Sequence, residues 1–267
     1  MKWEKNKLRK TLEEGKIALG TCFYSYSPAL VEVAGYCGLD FCRIEAEHVW
    51  RQDENFEHMM RAAVISGVVP LARVDKNPFL IRKALEAGAA GVIVPHVLNG
   101  AEAIEIVKAA KFPPQGNRGF SNLCFSGRWG TSSGIEWIKW SDEETMVGVV
   151  IEDYCAVENI NEIMSVKGLD FVMFGPADYS ISLGIPLQTT HPKVMEGLKK
   201  TVHAAEEHGK YVMIGVGFPW VENVKKFIKI GCRLIEIGHD ITILASVWKM
   251  LKEEILKCYK EKPHDTE

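Results

Sequence analysis

Residues 147–178 read VGVVIEDYCAVENINEIMSVKGLDFVMFGPAD and contain one complete strand–helix–strand unit. Two short apolar runs with many β-branched residues flank a longer segment that has helical spacing. A carboxylate closes each run, Glu152 the first and Asp178 the second. Since an ionised group at the end of a buried strand needs a polar partner or a metal ion, these two acids are the first candidates for a functional site.

The same unit recurs along the chain and predicts the fold. The predicted strands are 18–24, 41–47, 69–75, 91–97, 147–153, 171–177, 211–216 and 234–238, and the predicted helices are 27–38, 55–67, 79–88, 100–111, 156–166, 192–209, 219–231 and 241–260. Eight such units predict an α/β fold, a closed parallel (β/α)8 barrel of the TIM type. A doubly wound open sheet is the alternative, which is disfavoured because no Gly-x-Gly-x-x-Gly turn follows the first strand.

Three segments fall outside the repeated units. A short leading helix is predicted over about 6–15, and the tail from about 261 is predicted to be frayed. Residues 113–146 form a long irregular connection, and connections of this length are usually functional, as a lid or a subunit contact. No linker or low-complexity segment divides the chain, so we predict one domain over residues 1–267.

The composition argues against several classes of protein. Hydrophobic residues make up 47% of the chain, enough for a sizeable core, and the net charge of −3 favours neither nucleic acid nor an anionic membrane as a partner. No apolar stretch approaches the roughly 18 residues of a membrane span, and the start of the chain lacks a signal-peptide pattern. Seven scattered cysteines without a Cys-x-x-Cys pair favour reduced thiols. We therefore expect a cytoplasmic location.

Glu152 and Asp178 are predicted to hold a divalent metal ion. In a parallel barrel the carboxyl ends of neighbouring strands meet at the catalytic face, so the two side chains would converge there. Carboxylate oxygens with open positions for water and substrate suit Mg²⁺ or Mn²⁺. The alternative is structural, because acidic residues at strand ends often cap the following helix or pair with a basic neighbour.

His48 and Arg73 are candidates for proton transfer and charge stabilisation. Imidazole titrates near neutral pH, so His48 is a natural general base, and Glu45, three positions earlier, could orient it or a water. Arg73 lies inside an apolar strand, where a permanent positive charge needs an anion. That anion is either a substrate carboxylate or enolate or, as a structural ion pair, Glu45 or Glu47.

The other histidines and the lysines indicate which catalytic mechanisms are disfavoured. His96 and His239 are interpreted as structural residues, because neither has a matched partner in the sequence. An aldolase that forms a Schiff base needs a lysine near an inner strand end. No lysine lies in the fifth to eighth predicted strands, and Lys76 lies just past the third. Covalent catalysis by an amine is therefore disfavoured.

Between about Leu19 and Ala245 several short motifs occur in order: Glu47-His48, Val94-Pro95, Pro113-Pro114 with Arg118-Gly119, Ile151-Glu152 and Gly175-Pro176-Ala177-Asp178-Tyr179-Ser180. With these motifs the chain resembles the HpcH/HpaI family of metal-dependent pyruvate aldolases. Any one of these motifs would be a weak signal. Together and in this order they are specific.

The resemblance implies roles for individual residues. Glu152 and Asp178 match the two metal ligands, for Mg²⁺, Mn²⁺ or Co²⁺, and His48 matches the catalytic histidine. Arg73 matches the arginine beside the developing enolate oxygen. The backbone of Ala177 and Asp178, in the turn that begins at Gly175, matches the site of the pyruvate carboxylate.

The resemblance also implies an assembly. Glu86 falls where the family often has an aspartate that reaches the catalytic histidine of a neighbouring subunit. Family members form a barrel of the phosphoenolpyruvate/pyruvate-domain type whose last helix swaps between partners. They commonly assemble as hexamers built from dimers, so we expect a homo-oligomer here, with small 2-oxo acids and aldehydes as its ligands.

The chain departs from the family pattern at three places. Glu45 and Ala46 replace the usual Asp-Gly before Glu-His, which could shift the geometry of the histidine and its water. Val150 replaces a glutamine that contacts the bound 2-oxo acid, and a valine side chain makes no such hydrogen bond. Cys22 lies in the region of the first strand where the family often has a tryptophan.

These observations predict a divalent-metal-dependent aldolase, a carbon–carbon lyase. It would reversibly cleave a 4-hydroxy-2-oxo acid to pyruvate and an aldehyde through a metal-stabilised enolate. One alternative keeps the enolate but breaks another bond, as in a 2-oxo acid decarboxylase or an acyl-CoA lyase. Another alternative is a non-catalytic barrel that binds a 2-oxo acid, which the changes at Glu45-Ala46 and Val150 motivate.

Overall fold

The computed structural model describes residues 3–49 and 53–260, and its sheet is a closed barrel. Eight strands follow one another around the barrel in chain order, and each pairs in parallel with its neighbours. This arrangement confirms the predicted (β/α)8 fold. The tail that was predicted to be frayed lies outside the described residues.

The elements alternate along the chain as the repeated unit predicts. The strands are β1 (Ala18–Phe23), β2 (Phe41–Glu45), β3 (Val69–Arg73), β4 (Gly91–Val94), β5 (Met146–Ile151), β6 (Phe171–Phe174), β7 (Tyr211–Val216) and β8 (Leu234–His239). The helices are α1 (Lys7–Glu13), α2 (Pro28–Tyr36), α3 (Glu54–Ser66), α4 (Pro78–Ala87), α5 (Gly100–Ala110), α6 (Gly134–Glu144), α7 (Tyr154–Glu158), α8 (Ile160–Ser165), α9 (Pro176–Ser182), α10 (Pro192–Glu207), α11 (Trp220–Ile230) and α12 (Asp240–Lys260).

Two boundaries differ from the predicted ones in ways that matter for the site. Strand β6 ends at Phe174 rather than continuing to residue 177, because Pro176 begins α9 with its fixed φ and no amide donor. The single helix predicted over 156–166 is instead α7 and α8, which meet at Asn159. The first difference places Asp178 in the first turn of a helix rather than in a strand.

The long connection predicted over 113–146 contains helix α6 and a 3-10 turn at Arg128–Gly130. Trp137 of α6 is buried against the ring of Phe112. Trp140 donates a hydrogen bond from Nε1 to the Glu4 carbonyl oxygen, so α6 lies against the amino-terminal segment. That end of the barrel is opposite the catalytic face, which excludes α6 as a lid. A subunit contact stays a prediction.

The barrel interior is apolar at one end and charged at the other. Leu8 and Leu12 of α1 join an interior cluster with residues of all eight strands and close the amino-terminal end. Burying each of these leucines contributes roughly 1.5–3 kcal/mol. A larger apolar layer fills the space between the sheet and the helices. Towards the carboxyl ends of the strands the interior side chains become charged, and these groups form the floor of the candidate site.

Two further predictions concern the reduced state of the cysteines and the lack of a membrane-spanning segment. All seven cysteines are free, and Cys22, Cys42 and Cys232 are buried, as the expected reduced state requires. Within the described ranges, no helix combines the length and the apolar character that crossing a membrane demands. A cytoplasmic location stays a prediction.

Candidate active site

Strand register determines which side chains point into the barrel mouth. Partners across a parallel pair face the same side, and side chains alternate along each strand. Glu45 pairs with Arg73, and the side chains of both contact Arg43 or Glu47 inside the mouth. On the far side, Glu236 of β8 also reaches Arg43. Three strands, β2, β3 and β8, therefore bring five charged side chains to one end of the barrel.

Arg43 is the centre of a fully buried ion network. Its Nη1 donates to Glu45 Oε2 at 2.5 Å, while its Nε and Nη2 donate to the two Glu236 oxygens at 2.6 and 2.9 Å. A forked guanidinium–carboxylate pair of this kind has strong and directional hydrogen bonds. Burial by itself would raise the pKa of Glu45, but the charges of Arg43 and Arg73 hold that pKa below its usual value. Glu45 is therefore ionised and compensated.

Glu45 orders the turn that presents the catalytic histidine. Its Oε1 accepts hydrogen bonds from the backbone N–H groups of Glu47, at 2.9 Å, and His48, at 3.3 Å. Glu45 contacts the backbone of His48 rather than its ring, and the alternative that Glu45 orients a water stays a prediction. The carboxylate beside the ring is that of Glu47, whose Oε2 lies 3.6 Å from His48 Nε2.

Arg73 joins the proton-transfer candidate to the ion network. It pairs with Glu47 through Nη2, and its Nη1 lies 3.7 Å from Glu45 Oε2. Its Nη2 also lies 3.2 Å from His48 Nε2, where a guanidinium can only donate. The ion-pair alternative for Arg73 is thus what the structure shows. The same geometry brings Arg73 and His48 together, as their predicted roles require.

Glu152 and Asp178 lie close together on the other side of the mouth, and their partners differ from those of Glu45. Glu152 follows β5 and is 4% exposed, while Asp178 lies in the first turn of α9 and is exposed. Over residues 3–49 and 53–260, no lysine or arginine forms an ion pair with either acid. Burial raises the pKa of Glu152; the N–H and ring of His96 and the charge of Arg73 act to lower it, and the negative charge of Asp178 adds to the rise. The two predicted ligands are therefore close enough to repel one another.

His96 lies in the mouth and has acidic partners, so the prediction that it has no matched partner is wrong. Its backbone N–H donates to Glu152 Oε1 at 2.9 Å. Its ring lies between two acids, with Nε2 3.2 Å from Glu47 Oε1 and Nδ1 3.3 Å from Glu152 Oε1. The backbone adopts a φ of 55°, which is uncommon for a residue other than glycine and often marks a functional position. Its place directly after β4 was the sequence signal.

His239 also has partners that sequence reasoning missed. It ends β8, and its Nε2 lies 3.7 Å from Glu236 Oε1. The Tyr24 ring meets it edge-on, with 5.2 Å between ring centroids. Burial lowers the pKa of His239, so the ring is neutral at neutral pH. Neither contact could be read from spacing, because Tyr24 and His239 lie at opposite ends of the chain.

The predicted substrate-binding positions surround Glu152. Val150 is buried in the interior apolar cluster, two residues before Glu152 on β5. A side chain on Gly175 would place its Cβ 2.9 Å from Glu152 Cβ, so only glycine allows α9 to begin this close to the acid. Ala177 and Asp178 lie in the first turn of α9, where backbone N–H groups lack helical partners. Their substrate roles stay predictions.

Glu86 lies away from this mouth. It is on α4, on the outside of the barrel, with its Oε1 3.9 Å from Arg82 Nε. Its backbone carbonyl accepts a hydrogen bond from the Ser126 N–H. The predicted contact with a histidine of a neighbouring subunit therefore stays a prediction about an assembly.

The charge of the mouth favours a cation. The five carboxylates of Glu45, Glu47, Glu152, Asp178 and Glu236 face the two guanidinium groups of Arg43 and Arg73, which leaves −3 if the histidines are neutral. No group of three or more His, Cys, Asp or Glu residues in the described part of the chain is arranged to hold a metal ion. An oxygen-only pair still fits Mg²⁺ or Mn²⁺, which keep several water or substrate ligands.

A (β/α)8 barrel with acids at the ends of adjacent strands is the architecture of enzymes that work at the carboxyl-terminal face. The chain belongs to the HpcH/HpaI aldolase/citrate lyase family, whose family model matches residues 22–246. The resemblance found in the sequence is therefore confirmed.

Similar proteins of this family are aldolases. The chain is 30% identical over 236 residues to the 2-dehydro-3,6-dideoxy-6-sulfogluconate aldolase of Pseudomonas putida, with 88% of this chain and 91% of the relative covered. It is 29% identical to the 2-keto-3-deoxy-L-rhamnonate aldolase of Klebsiella pneumoniae, with 88% and 87% covered. The crystal structure of an HpcH/HpaI aldolase from Desulfitobacterium hafniense matches with a TM-score of 0.85 at 29% identity, covering 97% and 99%. These relatives confirm the prediction of a carbon–carbon lyase.

Proposed function

We propose that the protein is a divalent-metal-dependent aldolase that reversibly cleaves a 4-hydroxy-2-oxo acid to pyruvate and an aldehyde. The observation that carries the proposal is the buried Glu152 beside Asp178, a pair of acids with no lysine or arginine ion pair in the described ranges. The names of the relatives, which are aldolases of keto-deoxy sugar acids, support the same reaction class.

Glu152 and Asp178 would hold the cation, which could be Mg²⁺, Mn²⁺ or Co²⁺. When bound, the cation supplies Lewis-acid charge to the carbonyl and carboxylate oxygens of the 2-oxo acid. It also offsets most of the −3 charge of the mouth, which would otherwise repel an anionic substrate. The N–H groups of Ala177 and Asp178 would bind the carboxylate of the substrate at the start of α9.

His48 would move the proton of the reaction. In the cleavage direction it accepts the proton of the C4 hydroxyl, directly or through a water, as the C3–C4 bond breaks. The C4 oxygen then forms the carbonyl of the aldehyde, and the bonding electrons remain on the pyruvate fragment as an enolate. The enolate takes up a proton at C3, returned by His48 directly or through a water, which gives pyruvate and regenerates the base. Arg73, 3.2 Å from His48 Nε2, places fixed positive charge beside the oxygen that becomes negative.

Removing the metal tests the central claim. We expect EDTA to abolish cleavage and Mn²⁺ or Mg²⁺ to restore it. We also expect the protein with Mn²⁺ to catalyse deuterium exchange into the pyruvate methyl group, because enolisation needs no aldehyde. Borohydride added with pyruvate should leave activity unchanged. Covalent trapping by borohydride, or full activity in EDTA, would contradict the proposal, and binding of pyruvate without exchange would favour a non-catalytic barrel.

We further propose that the protein is a homo-oligomer in which α12 packs on a second copy. Helix α12 is 21 residues long and carries large apolar side chains that are exposed on the single chain. These residues recur at helical spacing along its length: Ile241, Leu244, Trp248, Leu251, Ile255 and Tyr259. A stripe with this spacing is typical of a helix that packs against another helix.

The oligomer proposal has a direct test. Trp248→Glu should shift the mass measured by light scattering toward the monomer, because it places a charge in the middle of the stripe. Glu253→Lys, a charge change on the opposite face of the same helix, is the matched control and should leave the mass unchanged. An unchanged mass for Trp248→Glu would show that the stripe does not form the subunit contact.

A further inference from the structure

A second set of polar side chains lies at the barrel mouth, two to three strands away from the proposed cation site. Going from β6 around the barrel, β7 comes next, then β8, then β1. The polar residues at this side are Tyr24, just after β1, with Glu236 and His239 on β8. We refer to these three residues as the β8–β1 wall. No role in the reaction has been assigned to them above.

Glycines leave open space between the cation site and this wall. Gly215 of β7 pairs in register with Glu236, so it faces the mouth as Glu236 does. A Cβ on Gly215 would lie 3.6 Å from Glu236 Oε1, and a Cβ on Gly217 would meet no atom within 4 Å. At these two positions β7 and the residue after it place no side chain of their own between the cation site and the wall.

Tyr24 offers a hydrogen-bond donor to that space. It lies two residues after Cys22, which pairs with the inward-facing Arg43, so its side chain also faces the mouth. Asp240 accepts a hydrogen bond from the Tyr24 N–H at 3.0 Å, and the ring packs edge-on against His239. Across the residues that the structure covers, its hydroxyl group has no hydrogen-bond partner. Burial and the charge of Glu45 raise the pKa of Tyr24 to about 12, so the hydroxyl keeps its proton.

The charge of the wall is negative rather than positive. Arg43 already serves both Glu236 and Glu45, and this buried group of three carries a net −1. His239 is neutral at neutral pH because burial lowers its pKa. No other lysine or arginine in the described ranges pairs with Glu236 or His239. A substrate group with a negative charge would therefore find no counter-ion here.

We propose that the β8–β1 wall selects the aldehyde half of the substrate. The Tyr24 hydroxyl donates a hydrogen bond to a hydroxyl oxygen of the aldehyde, and the negative field of Glu236 disfavours aldehydes that carry a carboxylate or sulfonate. The preferred partner of pyruvate is thus a neutral hydroxyaldehyde. This inference rests on the proposed aldolase function and deepens it to a substrate class.

Two matched pairs of aldehydes test the proposal in the condensation direction, with pyruvate and Mn²⁺. Lactaldehyde and propanal differ by one hydroxyl, and kcat/KM should be about threefold to tenfold higher for lactaldehyde, as one net hydrogen bond implies. The methyl ester of succinic semialdehyde and the free acid differ by one charge. The ester should be favoured by at least about tenfold, since like charges brought together cost several kcal/mol.

The variant Tyr24→Phe isolates the hydrogen bond. It keeps the ring that packs on His239 and removes only the hydroxyl, so the advantage of lactaldehyde over propanal should fall to about one. Tyr36→Phe, on the exposed face of α2, is the matched control and should leave the ratio unchanged. If Tyr24→Phe keeps the lactaldehyde-to-propanal ratio of the wild type, the inference is overturned. It is also overturned if kcat/KM for succinic semialdehyde equals that for its methyl ester.

Deuterium exchange into pyruvate distinguishes failure of the proposed aldolase function from failure of the proposed role of the β8–β1 wall. It reports enolisation without any aldehyde, so it should proceed at the same rate in the wild type and in Tyr24→Phe. If the wild type shows no exchange, the aldolase proposal fails and this inference fails with it. If exchange proceeds but the aldehyde preferences are absent or reversed, only the role of the wall fails. Slower exchange in Tyr24→Phe would place Tyr24 on the pyruvate side and also overturn the inference.

Discussion

Two buried carboxylates on different sides of the barrel mouth have pKa values that are shifted in opposite directions. On the β2–β3 side, Glu45 lies between Arg43 and Arg73, and its pKa is held below the usual value although burial would raise it. On the β5–β6 side, Glu152 has no arginine or lysine partner in the described chain, and its pKa is raised by burial and by Asp178. The difference lies in the partners, because both acids are buried.

This comparison indicates where the chain has room for a cation. A buried acid that is already paired gains little from a metal ion, since its charge is compensated and its oxygens are occupied. An uncompensated pair of acids is unfavourable until a cation binds, and that unfavourable energy becomes part of the binding affinity. The compensated side is then the rigid platform that positions His48, and the uncompensated side is the place for the ligand.

Replacing Glu152 should have the largest effect on activity. Glu152→Gln removes one of the two cation ligands, and we expect kcat to fall by about a thousandfold or more, because Lewis-acid stabilisation is worth several kcal/mol. Titration calorimetry with Mn²⁺ should show a matching loss of affinity. The unfolding free energy without metal should not fall, because glutamine removes an uncompensated charge. A variant that keeps Mn²⁺ affinity would show that the acids are not the ligands.

Replacing Arg43 should have the largest effect on stability. Arg43→Met leaves Glu45 and Glu236 buried without their shared partner, which should lower the unfolding free energy by about 3–5 kcal/mol in urea denaturation. Lys200→Met is the matched control, because it breaks an exposed ion pair with Glu158 and should cost no more than about 1 kcal/mol. Equal losses in the two variants would refute the contrast between the two sides.

Replacing His48 should separate proton transfer from cation binding. His48→Asn removes the proposed base on the compensated side, and kcat should fall by about a hundredfold, within the usual range for general acid–base catalysis. Mn²⁺ affinity should stay unchanged, since His48 contacts Arg73 and Glu47 rather than Glu152. A joint loss of kcat and Mn²⁺ affinity would mean that the two sides of the mouth do not act separately.

The smallest effect should appear in the pH dependence of stability, measured in EDTA. The pKa of Glu45 is lowered, so its stabilising contribution is present above its usual value of 4.5 and is lost as the pH falls through the folded-state pKa. The pKa of Glu152 is raised, so its contribution is present below 4.5 and is lost as the pH rises through the folded-state value. Glu152→Gln should therefore gain stability over the wild type as the pH rises above 4.5. A constant difference would contradict this reading.

Sequence reasoning located some of these residues and missed others for identifiable reasons. Glu152, Asp178, His48 and Arg73 lie at or near the carboxyl ends of predicted strands, and a parallel barrel brings all these ends to one face. His96 occupied such a position too, yet its partners Glu47 and Glu152 follow two other strands, β2 and β5. Pairing across strands depends on register and side-chain direction, which spacing along one strand does not contain.

The ion network around Arg43 is a second case of pairing across strands that the spacing along one strand does not predict. The apolar pattern of β2 predicts a strand, but a buried arginine within it has no partner that local sequence identifies, because Glu236 is 193 positions away. Closure of the barrel makes β8 a neighbour of β1 and brings Glu236 across the interior to Arg43. The same closure brings Tyr24 to His239.

The sequence by itself determined the eight strand–helix units, the acids at the strand ends and the family resemblance, because hydrophobic periodicity and strand-end positions are local properties of the chain. The tertiary structure alone decided which acids are compensated and which are not. That decision depends on distances between side chains from different strands, since electrostatic compensation acts through space and only the closed barrel sets those distances.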